Sequence, residues 1–445
     1  MRVRWVLPVL ALLGSCAPPA PEPPPPDESP PIVAKPEPER ARPLPPAAVR
    51  DSARPARARP AVRFDPGPVV EVGLVVDAPS IPVGGGSAVT ITSAAGEQVA
   101  TIPAGDTWRV VREGSRVALV GRSETRSASA SLLVIAPVAR GLVRVGTREY
   151  RGLVTVTPGR SGVTAVNRVW MEDYLLSVVG GEMGQRAPNE TEALRAQAII
   201  SRTYALRNRG RRRSLGFDYH ATVADQVYFG VSAENSLAQA AVVETRGLVA
   251  TWGGQPIDAF FYSTCGGRTE HGPEVFPGAN RPYLRSVSDE GPSGDWCAIS
   301  PRYAWREEWT GASLREALRR FLPGEAGVPA SRITRVRDIR IGERTVSRRV
   351  RRLIVSLPDG DVGIASPSVR EVLRPASGEL LRSTAFTVQV TRTGGEVTRL
   401  VAEGHGNGHG VGLCQWGAVG RARAGHRYDQ IIAAYYPGTR LERFY

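Results

Sequence analysis

Trp170-Met171-Glu172-Asp173-Tyr174-Leu175-Leu176-Ser177-Val178-Val179-Gly180-Gly181-Glu182 is the stretch where the hydrophobic pattern of this chain changes period. Upstream, short β-branched runs at 69–75, 88–92, 108–112, 116–120, 131–135 and 152–156 alternate with Gly, Pro and Ser breaks, which predicts antiparallel strands. Across the quoted stretch Met171, Tyr174, Leu175, Val178 and Val179 fall at helical spacing, with Glu172 and Asp173 acidic in the first turn. Gly180-Gly181 then reads as the helix end. Residues 190–207 predict a second, longer helix, apolar on most sides and therefore buried. Strand-like runs return at 248–252, 257–262, 352–356, 385–391 and 397–402, with a helix at 312–321. The expected fold class is α+β: a mixed, largely antiparallel β domain with a few helices around a cleft, plus an inserted or second α+β subdomain. The expected division is 66–156 for an N-terminal β-rich part, 157–299 for a core, 300–393 for the insertion and 394–445 for a C-terminal core segment.

Outward from this folded part, the N-terminus reads as an address. Arg2 and Arg4 precede an apolar run from Trp5 to Leu13 that is too short to span a bilayer. It closes on Leu13-Gly14-Ser15-Cys16, which resembles a lipobox, so 1–15 is expected to be a lipoprotein signal peptide and Cys16 the lipidated residue. Residues 16–65 are rich in Pro, Ala and Arg, a composition that cannot bury a core and suits an extended linker. At ~3.1 Å per residue, about 49 such residues reach roughly 150 Å. The expected location is the cell envelope, in the periplasm or on the outer face. Ala17 is compatible with outer-membrane sorting in a cell with two membranes. The net charge of +14 is carried by arginine, with Lys35 the only lysine. No nucleic-acid-binding motif accompanies it, so the envelope is the expected polyanion. Cys265, Cys297 and Cys414 remain for the folded part. In an oxidising compartment Cys265 and Cys297 are a candidate disulfide, with Cys414 the odd one and a metal site using Cys265 and His271 the rival.

Several side chains are candidates for chemistry. Glu182 follows the glycine pair, at the carbonyl-rich end of the first helix, where partial negative charge favours the protonated carboxyl that a general acid needs. Its alternative is an ordinary surface glutamate. Arg195 and Arg202 share one face of the second helix and could grip a carboxylate, or be plain helix-surface cations. Gly404-His405-Gly406-Asn407-Gly408-His409-Gly410-Val411-Gly412 puts glycine at alternate positions, so that a ligand or another backbone can approach. The spacing of His405 and His409 suits zinc only on a helix, which these glycines oppose; substrate-binding or structural histidines are expected.

Together these segments resemble the SpoIID/LytB family. The likeness rests on Glu172-Asp173-Tyr174-Leu175, Glu182-Met183, Leu194-Arg195-Ala196-Gln197-Ala198, Arg202-Thr203-Tyr204, Asp225-Gln226-Val227-Tyr228-Phe229-Gly230, Ser263-Thr264-Cys265-Gly266-Gly267-Arg268-Thr269-Glu270 and Gly408-His409-Gly410-Val411-Gly412-Leu413-Cys414-Gln415-Trp416-Gly417-Ala418, in that order. The resemblance implies peptidoglycan as substrate and a lytic transglycosylase that cleaves MurNAc-GlcNAc bonds of denuded strands, with Glu182 as the single acid/base. It implies substrate contacts from Arg195 (where lysine is usual), Arg202, His409 and Gln415. Other members look like non-catalytic enhancers of a partner N-acetylmuramoyl-L-alanine amidase, which is the alternative. The turn at 184–188 is long for the family, and Cys414 stands where serine is usual. Some members bind zinc through Cys and His, but His271 alone lies near Cys265 in sequence, so no cofactor is expected and the disulfide is preferred.

Overall fold

Alternation builds the first half of the molecule. In the strands Val89–Ser93 and Leu153–Pro158, Val89, Ile91, Val154 and Val156 are buried while their neighbours are not, the period-2 signature of a sheet covered on one face. The computed structural model describes residues 67–123 and 126–445, so Cys16 and the expected linker lie outside the described residues. A seven-stranded sheet runs in the order Tyr219–His220, Val69–Ala78, Val163–Trp170, Leu153–Pro158, Leu133–Pro137, Val89–Ser93, Gln98–Ile102. A six-stranded sheet has the order Arg148–Tyr150, Val143–Val145, Ser80–Gly84, Thr107–Glu113, Arg116–Val120, Arg126–Ala130. Apolar residues of both sheets enter one core.

That core also takes the helices α1 (Met171–Met183), α2 (Thr191–Asn208) and α3 (Ser236–Glu244). Strand Val163–Trp170 aims α1. Its last residue, Trp170, pairs with Val69, and the Met171 N–H, one residue on, donates to Pro68 O at 2.9 Å. α1 does not end at the glycine pair, as the sequence suggested, but continues through it to a C-cap at Gly184. Space is the reason. A Cβ on Gly180 would stand 1.9 Å from Ala233 O, and one on Gly181 3.3 Å from a Val227 methyl. The glycines let the chain around 227–233 lie directly on the helix, a use of glycine that sequence alone does not distinguish from a stop.

A second apolar core draws on residues 305–402. It holds α4 (Gly311–Ala326), the short α5 (Val369–Val372) and two three-stranded antiparallel sheets. One sheet orders Ala304–Thr310, Glu396–His405, Phe386–Thr393; the other orders Asp338–Arg344, Val350–Leu357, Gly360–Ala365. The chain then returns to the first core with α6 (Gln415–Arg423) and α7 (Tyr428–Tyr435). Among the described residues, seven α-helices and mostly antiparallel strands make the fold α+β. No helix among the described residues is long and apolar enough to cross a membrane.

Candidate active site

Glu182 occupies the last turn of α1, and the close approach allowed by Gly180 and Gly181 determines what reaches it. The Val227 N–H donates to Glu182 Oε1 at 2.8 Å, and the Gln415 carboxamide donates to Oε2 at 3.4 Å. Burial pushes the Glu182 carboxyl above the usual carboxylate range, and these two donors pull only partly against it. Among the described residues, no carboxylate contributes to the shift.

Each residue of 225–229 is tied to the scaffold, a feature the sequence showed only as a family motif. Asp225 accepts from Tyr204 on α2 (3.1 Å), and Gln226 Oε1 from Tyr174 on α1 (3.1 Å). The Tyr228 hydroxyl donates to Asn167 (2.7 Å), and the Phe229 N–H to Ser177 Oγ on α1 (3.2 Å). With every neighbour fixed, the Val227 amide is preorganised toward Glu182.

Gln415 is brought to Glu182, but the two arginines expected there are not. Arg202 is fully buried and forms a two-pronged ion pair with Glu172, both contacts 2.8 Å, and also donates to Leu248 O at 3.2 Å. It anchors α2 to α1 and, with no exposed surface, presents no donor to a substrate. Arg195 is taken by Glu192 and Glu244, the latter at 2.5 Å. Arg186, from the turn after α1, lies instead over Trp416, the residue after Gln415, with its guanidinium 4.6 Å from the ring centroid. Its buried Nε has no hydrogen-bond partner. The long turn at 184–188 was the one sequence sign of it.

His409 is likewise structural rather than substrate-binding. Its Nε2 is 2.9 Å from Phe261 O, the Val411 N–H donates to its Nδ1 at 3.1 Å, and the rings of Phe260, Tyr262 and Phe276 enclose it. Burial holds its pKa down at about 4, so the imidazole is neutral, with Nε2 as the donor. The bare side of the glycine-rich segment faces protein. A Cβ on Gly408 would stand 2.8 Å from Tyr262 Cβ, and one on Gly412 2.1 Å from Phe260 O. Leu413–Cys414 pairs in parallel with Phe261–Tyr262, and Asn407 bridges to Thr264.

The disulfide expected between Cys265 and Cys297 is not present: their Sγ atoms are 3.3 Å apart and all three cysteines of the folded part are free. The reason is a convergence the sequence could not show. Cys414, expected to be the odd cysteine, joins them, and with the Asp289 carboxylate one ligand atom from each of the four residues lies within 4.8 Å of every other. His271 is not in this group. Burial pushes the Asp289 carboxyl up to about 7.

The class defined here is an α+β protein with a half-buried, amide-held glutamate at a helix end, contacted by a motif-bearing loop and by the glutamine of a C-terminal Gln-Trp pair. The family model described as stage II sporulation protein matches residues 159–252, which include α1 and Glu182, and a domain of unknown function matches 297–412. An uncharacterized protein of Brachyspira hyodysenteriae is 32% identical over 295 residues, 65% of this chain and 72% of the relative. Stage II sporulation protein D of Bacillus subtilis is 30% identical over 304 residues, 65% of this chain and 79% of its own length. The amidase enhancer of Bacillus subtilis is 28% identical over 282 residues, 57% of this chain and 38% of its length. The chain belongs to the SpoIID family, which supports a cell-wall-related role.

Proposed function

We propose that this chain is a peptidoglycan lytic transglycosylase that cleaves MurNAc-GlcNAc bonds of denuded glycan strands with Glu182 as its single acid/base. The observation that carries the reading is the setting of Glu182: half-buried, raised in pKa, held by a main-chain N–H and a carboxamide, with no carboxylate of the described residues contributing to that rise. A paired-acid hydrolase needs a second carboxylate as nucleophile or base, whereas an intramolecular transfer does not. Protonated Glu182 gives its proton to the glycosidic oxygen as the C1–O bond breaks. The resulting carboxylate takes the proton of the muramic C6 hydroxyl while that oxygen closes on C1. The products are a 1,6-anhydro end and a free GlcNAc hydroxyl, and Glu182 is protonated again. Denuded strands carry a lactyl carboxylate on each muramic residue, and Arg186, with an unpartnered Nε, is the cation suited to it.

The deciding experiment is mass spectrometry of denuded and intact peptidoglycan incubated with wild type and with Glu182→Gln. Anhydro-muramic products from the wild type alone support the enzyme; their absence, or their survival in the variant, overturns it. The second reading is a non-catalytic enhancer of a partner amidase, favoured by the relative that carries that name. Stimulation of an amidase that survives Glu182→Gln decides for it.

The chain is further proposed to act from the cell envelope, tethered by lipid on Cys16. Incorporation of a labelled fatty acid that persists in Cys16→Ala rejects the tether.

A further inference from the structure

We propose that Cys265, Cys297, Cys414 and Asp289 form a closed, four-ligand site for a zinc-class divalent ion that fastens the C-terminal Cys414-Gln415 corner to the core. The inference does not rest on the transglycosylase reading.

The four residues come from four separate stretches of chain, and all are buried. Zinc-sulfur bonds of ~2.3 Å in a tetrahedron set sulfur-sulfur edges of about 3.8 Å. The donor atoms here include a pair at 3.3 Å, and all lie within 4.8 Å of one another, so small side-chain rotations suffice to reach that geometry. A disulfide between any two of the sulfurs leaves the third beside a buried carboxylate.

The surroundings supply the second observation. Sulfur is ordinarily a weak acceptor. Cys414 Sγ nevertheless receives two main-chain N–H groups, from Cys265 at 3.1 Å and Gly417 at 3.2 Å. Amides aimed at one sulfur are what a metal-bound thiolate uses. Asp289 is oriented in the same manner: Tyr435 donates to its Oδ1 at 2.5 Å, and the Arg421 guanidinium lies 3.6 Å from that oxygen. This leaves Oδ2 facing Cys265 Sγ, at 3.1 Å. Gly417 is required here, because a Cβ on it would stand 2.0 Å from the Tyr435 hydroxyl and 2.6 Å from Asp289 Oδ2. Arg349, fully buried, donates to Cys265 O at 2.6 Å and adds a cation beside the anionic ligands.

Three thiolates and a carboxylate select zinc or an ion of similar softness over magnesium or calcium. Four protein ligands leave no open position, so the site is structural rather than catalytic. It contains no histidine and so differs from the Cys and His set that the family resemblance suggested. Its consequence reaches the active site, since Cys414 immediately precedes the glutamine that donates to Glu182.

The test uses the full-length protein purified with reductant and measures zinc by elemental mass spectrometry, then replaces it with cobalt. About one zinc per chain is expected, released by a thiol-modifying reagent, together with thiolate-to-cobalt charge-transfer absorption and tetrahedral d–d bands. Asp289→Asn and Cys414→Ser are each expected to weaken zinc binding by about tenfold or more. A wild-type protein that carries no zinc and gives no cobalt charge-transfer band overturns the site. So does a Cys265–Cys297 disulfide found by peptide mapping of that preparation. The cobalt spectrum decides on the wild type alone if a variant fails to fold.

Discussion

The two apolar cores differ in what they bury. The first, which holds α1, α2, α6 and the sheets beneath them, accepts Glu172, Arg202, Gln197, Gln226 and Asp289 into its interior. The second packs Leu314, Leu318, Leu353, Val355, Leu381 and Leu400 with few polar groups, and most of its arginines pair with acids at the surface, as Arg399 does with Glu308. A buried charge is tolerated only when its partners are in place. The first core therefore carries polar groups at a cost in stability, and they fix the geometry around Glu182. The second is plain packing, joined to the first by polar contacts such as Glu270 with Thr345 and Ser347, both at 2.7 Å.

This contrast can be broken in order of expected effect. Glu182→Gln should lower the cleavage rate by about 10²–10⁴-fold without unfolding the protein, as read by product formation and circular dichroism. Arg202→Ala leaves Glu172 buried and unpaired and should cost about 3–5 kcal/mol in denaturant unfolding. Arg399→Ala in the second core should leave stability within error of wild type; equal effects of the two arginine variants contradict the distinction between the cores. Leu353→Ala should cost about 2–5 kcal/mol yet leave the rate per folded molecule unchanged, which checks that the second core is packing alone.

A pH dependence sharpens the same point. The Glu182 pKa is raised in the folded state, so the folded chain binds more protons than the unfolded one between the two values. Stability from this group is present below the unfolded pKa and declines as pH rises through the folded one. Cleavage should fall over the same upper range as the general acid ionises, while Glu182→Gln loses that slope in the stability profile. A modest effect on binding is expected for Arg186→Met, a rise of severalfold in KM for denuded strands with kcat little changed, on the scale of one desolvated cation contact.

The periodicity of 170–183 and 190–207 made both central helices legible, and Glu182 stood out by its place at a helix end. What stayed hidden depends on neighbours distant in sequence. Gly180 and Gly181 read as a stop because nothing in the sequence shows Ala233 O lying where a side chain would go. Arg202 looked like a ligand-gripping residue because its partner Glu172 lies thirty positions away on another helix. Cys414 looked odd because its companions are spread over 149 positions. The glycine-rich segment was read as bare on one side for a ligand or another backbone, but only the fold reveals that its glycines face several stretches of protein, among them Phe260 at Gly412, Tyr262 at Gly408 and Arg349 at Gly410.

The donor to Glu182 Oε1 has one more consequence. Because it is a main-chain N–H, nearly any side chain at position 227 can supply it, and among standard substitutions only proline deletes it. Drift at that site is thus silent for acid strength. The set-point of the acid is inherited as a distance between two chain segments, held open to close approach by Gly180 and Gly181, and comparing residues at position 227 among relatives will not reveal it.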